Sequence, residues 1–312
     1  MLKLLNTSDF YTNESNKKKI DYYRKNYGFD GFEFIKFSDN ENLEIKDELK
    51  GYHLRFFPMW IDLYLNRKEI LEKEILEDDT YKYVCGGKTK DEMLAYYKKE
   101  LETAHKLDVE YVVLHACNIR LSETYTYNFE YSDMEVLKVV TDIVNEIFLP
   151  KYKFKLLLEN LWWPGLKLTC KEEVKYLLSN IKYKNVGFML DTGHMINNNP
   201  KLRNSDEAVK YIENSIANLG EYKNYIKGVH LNYSLSGEYI ENVLNGNGEK
   251  EVYKHIGKID YHDPFEHEGV NKILNSLPLD FLIYEMISTS DEELEEKVKR
   301  QDRALNKIKS TK

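Results

Sequence analysis

Residues 154–194 read FKLLLENLWWPGLKLTCKEEVKYLLSNIKYKNVGFMLDTGH, and the order of their parts decides the fold. An apolar run, Phe154–Asn160, precedes a segment of helical periodicity, Lys171–Ser179, and a second apolar run, Val186–Thr192, follows. Neither run alternates apolar with polar residues, which suits strands covered on both faces. A strand, helix, strand unit of this kind builds a parallel sheet.

The alternation continues in both directions. Further β-branched or aromatic runs fall at Leu2–Thr7, Gly31–Phe37, Tyr52–Phe56, Val109–Ala116, Ile226–Asn232 and Phe281–Met286, which makes eight. Helical periodicity covers roughly Lys17–Asn26, Lys90–Lys106, Asp133–Ile147, Ser205–Leu219, Val270–Leu277 and Ser290–Lys309, with capping residues in Ser8–Asn16 and at Ser205–Asp206. Eight strands with following helices fit a (β/α)8 TIM barrel, an α/β fold, better than an open doubly wound sheet. No GxGxxG follows the first run, so nothing points to a dinucleotide. Without a linker, repeat or low-complexity block, residues 1–312 read as one domain. Two connections are long: Phe57–Lys88 after the third run, and Tyr233–Tyr261, with the turn signal NGNGEK, after the seventh. In a barrel both lie on the carboxyl-end face, where such loops are expected to shape a substrate pocket.

Composition narrows the partners. Forty-five Lys and Arg against 53 Asp and Glu give a net charge of −8, which argues against broad attraction to nucleic acid or an anionic membrane. At 42% hydrophobic and 31% charged, the chain is expected to bury a sizeable core. No stretch approaches the ~18 apolar residues of a membrane span, and Met1–Lys19 lacks an apolar signal core. Cys85, Cys117 and Cys170 are scattered and odd in number, so neither a disulfide framework nor a thiolate zinc site is indicated. A reduced, cytoplasmic protein is expected.

Chemistry concentrates where the apolar runs end. His115 ends YVVLHACN, Glu159 ends KLLLEN, Asp191 and His194 close MLDTGH, His230 closes GVHLN, and Glu285 sits in LIYEM. His53 in GYHLRFF and Asp260 and His262 in KIDYHDPF extend the group. Taken singly, any of these histidines reads as a hydrogen-bonded core residue, and Glu159 or Glu285 as a buried partner for Lys or Arg. Jointly, four strands carrying carboxylate or imidazole to one face call for a cation, because buried carboxylates are costly unless paired or coordinated. Glu, Asp and His are the ligand set of zinc, manganese, iron and similar ions.

The motifs LLLEN, MLDTGH, GVHLN and the late Glu of IYEM resemble, in order and spacing, the xylose isomerase-like TIM-barrel superfamily, which includes sugar isomerases, epimerases and endonuclease IV. The resemblance spans about Leu2 to Met286 and implies a shared metal site at Glu159, Asp191, His230 and Glu285. The ligand pattern is closest to endonuclease IV-like enzymes. By that resemblance His53, His115 and Glu159 hold one zinc, Glu159, Asp191, His230 and Glu285 a second, and His194, Asp260 and His262 a third. It implies a phosphoesterase acting on a small-molecule or nucleic-acid phosphodiester or phosphoester with metal-bound hydroxide. Two departures stand against it: Leu161–Trp162–Trp163–Pro164–Gly165 replaces a small-residue motif, and DTGH stands where DTCH is usual. Seven arginines, of which Arg55 and Arg120 follow ligand-bearing strands, are few for a duplex binder, so DNA is possible but not favoured.

The rival implied by the same resemblance is a sugar or sugar-phosphate isomerase or epimerase with one Mn, Mg or Co ion. DTGH and His262–Asp263–Pro264 resemble segments of such enzymes. Protons would then pass between Glu159 and Glu285, His194 would orient a hydroxyl, and Phe56, Trp60, Trp162 and Trp163 would wall a sugar ring. A barrel that binds metal without catalysis is a third class. The expected site is therefore Glu159, Glu285 and His194 for catalysis, the nine ligands for metal, and Arg55, Phe56, Arg120, Trp162 and Trp163 for substrate. The tail DEELEEKVKRQDRALNKIKS reads as a solvated amphipathic helix closing the barrel.

Overall fold

A computed structural model describes residues 1–38, 45–77 and 79–306. Eight parallel strands close into a barrel in sequence order: β1 (Leu2–Ser8), β2 (Gly31–Ile35), β3 (Leu49–His53), β4 (Tyr111–His115), β5 (Lys155–Glu159), β6 (Val186–Asp191), β7 (Ile226–Leu231) and β8 (Phe281–Tyr284). The (β/α)8 barrel expected from the sequence is thus the fold. The main shift is in β3, which begins three residues before the expected Tyr52. Gly51 gives the run the look of a turn, but a glycine is required there: a Cβ at 51 would lie 2.2 Å from Cζ of Tyr111 on the next strand. β8 ends at Tyr284, so Glu285 stands just beyond its strand.

Helices fill the spaces between strands much as the periodicity indicates, among them Asn13–Tyr27, Lys90–Leu107, Asp133–Ile147, Lys171–Asn180, Ser205–Asn218 and Val270–Asn275. Thr12 caps the first. The cap ahead of Ser205 is Asn204, one residue before the expected pair, whose side chain accepts from the Glu207 N–H. The C-terminal helix runs Asp291–Asn306, and residues 307–309 of the expected helix lie outside the described residues. It is not wholly solvated: Gln301 is buried and bonds both N and O of Phe265.

Strand residues alternate between two apolar layers. Val112, Leu114, Leu156, Leu158, Phe188 and Leu190 face the helices. Leu4, Tyr111, Val113, Leu157, Met189, Phe281 and Ile283 fill the barrel interior. Because the side-chain period of a strand is two, the next residue of interior parity is His115 on β4, Glu159 on β5, Asp191 on β6 and, just past β8, Glu285. The parity of the core therefore aims these groups into the barrel mouth.

The long connections carry helices of their own, Trp60–Tyr64, Lys68–Glu74 and Thr80–Val84 after β3, and Gly237–Leu244 and Val252–Ile259 after β7. Between the last two, Gly246 takes φ 83 in the NGNGEK turn. Tyr233 and Asp263 exchange backbone hydrogen bonds of 2.7 and 3.1 Å, which staples the two ends of the β7 connection and returns Asp260 and His262 to the barrel mouth. The β3 connection behaves otherwise than expected. Past Phe56 its described residues supply no wall of the central cavity described below; they brace the β4 loop, with Trp60 Nε1 donating to Cys117 O at 2.7 Å and Ile119 N to Pro58 O at 2.7 Å.

Candidate metal centre

Besides a group of Glu33, His53, His230 and Glu285, the side chains at the carboxyl ends of the strands form three groups whose ligand atoms lie within 4.8 Å of one another: His53, His115 and Glu159; Glu159, Asp191, His230 and Glu285; His194, Asp260 and His262. These are the three sets that the endonuclease IV-like resemblance implies. They border a cavity of about 200 Å³ whose walls include Asn6, Thr7, Ile35 and Phe56.

Each set is assembled by the local chain. Glu159 is central and fully buried. Its Oε2 lies 3.1 Å from Nε2 of both His53 and His115, and its Oε1 lies 3.1 Å from His230 Nδ1 and 3.3 Å from His194 Nδ1. Asp191 caps the short helix Thr192–Asn197: its Oδ1 accepts from His194 N at 2.6 Å, and its Oδ2 from Asn232 Nδ2 at 2.6 Å. A Cβ on Gly193 would stand 2.0 Å from Asn232 Oδ1, so the glycine of DTGH makes room for the amide that holds Asp191. His262 sits at φ 49, a conformation costly for a side-chain-bearing residue. Ser234 Oγ holds it there by accepting from the N–H of both Tyr261 and His262 at 3.1 Å.

Backbone carbonyls decide which ring nitrogen is offered. A carbonyl can only accept, so Nδ1 carries the proton on His53 (2.8 Å to Leu54 O), His194 (2.9 Å to Asn160 O) and His262 (3.1 Å to Glu285 O). Nε2 is then free to meet an acid or a cation. His115 offers Nε2 as well, and its Nδ1 is buried without a partner.

Acids and imidazoles shift one another strongly. Burial opposes charge on His53, yet the hydrogen bond and charge of Glu159 push it up to about 9. Burial likewise opposes His262, which Asp260 and Glu285 raise to about 10. His115 moves down, because burial outweighs Glu159. Burial pushes Glu285 up to about 7 against the lowering pull of His230 and His262, and its Oε2 has no hydrogen-bond partner. Glu159 is held well below the usual carboxylate range, the surrounding histidines overcoming its burial. A buried cluster that holds protons on imidazoles against desolvation, with one acid oxygen left without a hydrogen bond, is a donor set suited to divalent cations, which replace those protons.

The expected substrate residues divide. Phe56 lines the cavity, its ring 4.9 Å from that of His115. Trp162 packs 5.2 Å from the His194 ring, and Trp163 stacks on Phe56 at 6.3 Å, both nearly buried with unpaired Nε1 atoms. Arg55 lays its guanidinium over Phe37 at 4.8 Å. Arg120 does not line the cavity: its Nε and Nη2 bond the buried carboxylate of Asp62 at 2.9 and 3.2 Å. An arginine directly after a ligand strand looks available in sequence, but Asp62 in the β3 connection claims it. Cys117 is buried and its thiol pushed far up, consistent with an unreactive side chain.

A further acid, outside the expected donor set, joins the cluster. Glu33, on β2, lies 3.0 Å from His230 Nε2 and accepts from Tyr111 OH at 2.9 Å. In sequence it is a carboxylate in the middle of the apolar run GFEFIKF, not at a strand end.

The closed parallel barrel with nine converging acids and imidazoles at its carboxyl ends defines a (β/α)8 protein with a candidate metal centre. Residues 23–296 match the family described as xylose isomerase-like TIM barrel, and the chain belongs to that family. No curated protein matches the sequence. Among solved structures, the IOLI protein with a binding zinc atom is 15% identical over 98% of each chain, with a TM-score of 0.53. D-psicose 3-epimerase in the presence of D-fructose is 13% identical over 100% of this chain and 98% of its own, with a TM-score of 0.51. At these identities the likeness is one of fold. Among the described residues, no helix is long and apolar enough to cross a membrane.

Proposed function

We propose that this protein is a multinuclear phosphoesterase that hydrolyses a phosphodiester or phosphoester with two or three divalent ions of the zinc type. The observation that supports this reading is the position of His53 and His115. A one-ion site needs only Glu159, Asp191, His230 and Glu285, yet both imidazoles aim Nε2 at the same Glu159 oxygen from 3.1 Å, and His194, Asp260 and His262 form a further set. Bound ions would supply positive charge for the phosphoryl and departing oxygens and would acidify a water into a nucleophile. The chain's part is to hold and orient. Glu159 turns one oxygen to each of two donor sets, Phe56 walls the cavity, and Glu285 can take up or release a proton at Oε2, which has no hydrogen bond and lies 3.3 Å from His230 Nδ1. A net charge of −8 and seven arginines favour a small-molecule phosphoester over duplex DNA.

A second reading, a sugar isomerase or epimerase with one Mn, Mg or Co ion, draws on the two glutamates. Glu159 and Glu285 approach His230 Nδ1 at 3.1 and 3.3 Å, and their proton affinities are driven apart, Glu159 down and Glu285 up to about 7. Pairs of titratable groups separated in this way serve as acid and base. The shared fold with D-psicose 3-epimerase agrees with it.

Elemental analysis of gently purified protein, with turnover measured on phosphodiesters, phosphomonoesters and ketoses, separates them. About three ions per chain with phosphoester hydrolysis supports the first reading. One ion per chain with ketose turnover replaces it with the second, and bound ions without turnover of any kind leave a non-catalytic barrel.

A further inference from the structure

The imidazoles of the cluster are not all held the same way round. His53, His194 and His262 each give their Nδ1 proton to a backbone carbonyl, which leaves Nε2 for the cluster. His230 is reversed. Its Nδ1 faces Glu159 Oε1 at 3.1 Å, Glu285 Oε2 at 3.3 Å and Asp191 Oδ2 at 4.0 Å, while Nε2 points to Glu33. The reversal has a local cause. His230 lies within β7, where its far nitrogen faces the barrel interior and neighbouring carbonyls are engaged in the sheet, so a side chain must act as the acceptor.

Three strands supply that acceptor as one unit. Glu33 pairs in register with Gly51, and Gly51 with Tyr111. The missing side chain at 51 admits the Tyr111 ring, whose hydroxyl donates to Glu33 Oε2 at 2.9 Å. On one side lies the apolar barrel interior, with Leu4, Val113, Leu157, Met189 and Ile283, and on the other Glu33 borders the cavity within 4.8 Å of ligand atoms of His53 and Glu285. A carboxylate there, 2% exposed, is costly unless paired. Both Glu33 oxygens lie 3.0 Å from His230 Nε2, so Glu33 is placed as an acceptor for that ring.

We infer that Glu33 is a positioning residue of the metal centre: by accepting the Nε2 proton of His230 it points Nδ1 at Glu159, Asp191 and Glu285 and tightens that set's hold on a divalent ion. This rests on the reading of those four residues as metal ligands, and it holds for either proposed chemistry. Carboxylates behind ligating histidines fix the tautomer and raise ligand basicity, and losing one weakens metal affinity about 10–100-fold.

The test is zinc affinity by chelator competition, with ¹⁵N NMR of labelled histidines in the zinc-loaded protein, on the wild type, Glu33→Gln and Glu33→Leu. Glu33→Gln keeps the shape and an acceptor oxygen. It is expected to keep the Nε2–H form of His230 and lose about tenfold in affinity. Glu33→Leu leaves no acceptor; with zinc on Nδ1 the proton stays on Nε2, whose ¹⁵N signal should shift for want of a charged acceptor, and affinity should fall by up to about a hundredfold. Melting of the zinc-free variants reads any purely structural effect separately. If the wild type binds zinc and both variants match it in affinity and His230 signals, the inference falls. If Glu33→Gln loses a whole ion with His230 unchanged, Glu33 is itself a ligand and the inference also falls. A wild type that binds no zinc overturns the ligand assignment beneath it.

Discussion

Glu159 Oε2 lies 3.1 Å from Nε2 of His115, its register partner on the adjacent strand β4. Register pairing and shared parity bring the two to the barrel mouth side by side, and His53 on β3 meets the same oxygen. The other oxygen of Glu159 faces His230. One carboxylate thus stands between two candidate donor sets, the disposition a bridging ligand requires.

Replacing His115 with Ala is expected to lower the ion-to-chain ratio by one while the barrel stays folded, because His115 supports the site through Nε2 alone and its Nδ1 has no partner to lose. Elemental analysis and circular dichroism together check this. An unchanged ratio would refute the ligand assignment.

Removal of ions by a chelator should lower the melting temperature. Each site held at about 100 times its dissociation constant adds about 2.7 kcal/mol to the folded state. For a chain of this size that corresponds to a fall of several degrees, reversed by added zinc. A melting curve indifferent to chelator and zinc would count against a metal centre.

Stability should also depend on Glu100, buried on helix Lys90–Leu107, where it accepts from Arg55 N at 3.1 Å and meets Tyr52 OH at 3.4 Å. Burial pushes its carboxyl from 4.5 up to about 8, against the lowering effect of the Arg55 N–H. The protonated form is thus favoured by folding. Its contribution is complete below the ordinary value and is lost as pH rises toward about 8, at up to about 1.4 kcal/mol per pH unit. Glu100→Gln should flatten the decline between pH 5 and pH 8, roughly, with the two proteins alike at low pH. Denaturant titrations across that range would show parallel curves if Glu100 remains ionised.

Arg120→Ala is expected to cost about 3 kcal/mol, because it leaves the fully buried Asp62 without its cationic partner. Tyr131 OH, 2.6 Å from Asp62 Oδ1, offsets a part of that. The ion-to-chain ratio and KM should stay at wild-type values. A large rise in KM at unchanged stability would instead return Arg120 to the substrate site.

The sequence by itself determined the barrel and most of the donor set. Apolar runs of strand length alternate with amphipathic segments, and acids or imidazoles end the runs, because interior parity carries directly from Leu157 to Glu159 and from Met189 to Asp191. These are properties of neighbours in the chain. What only the tertiary structure decided depends on residues distant in sequence: that Asp62 takes Arg120, that the β3 connection braces a loop instead of walling the cavity, and that Glu33 meets His230 across the barrel interior. No local pattern records such pairings. They arise when closure of the sheet and the space left by Gly51 bring buried polar groups together, where each must find a partner.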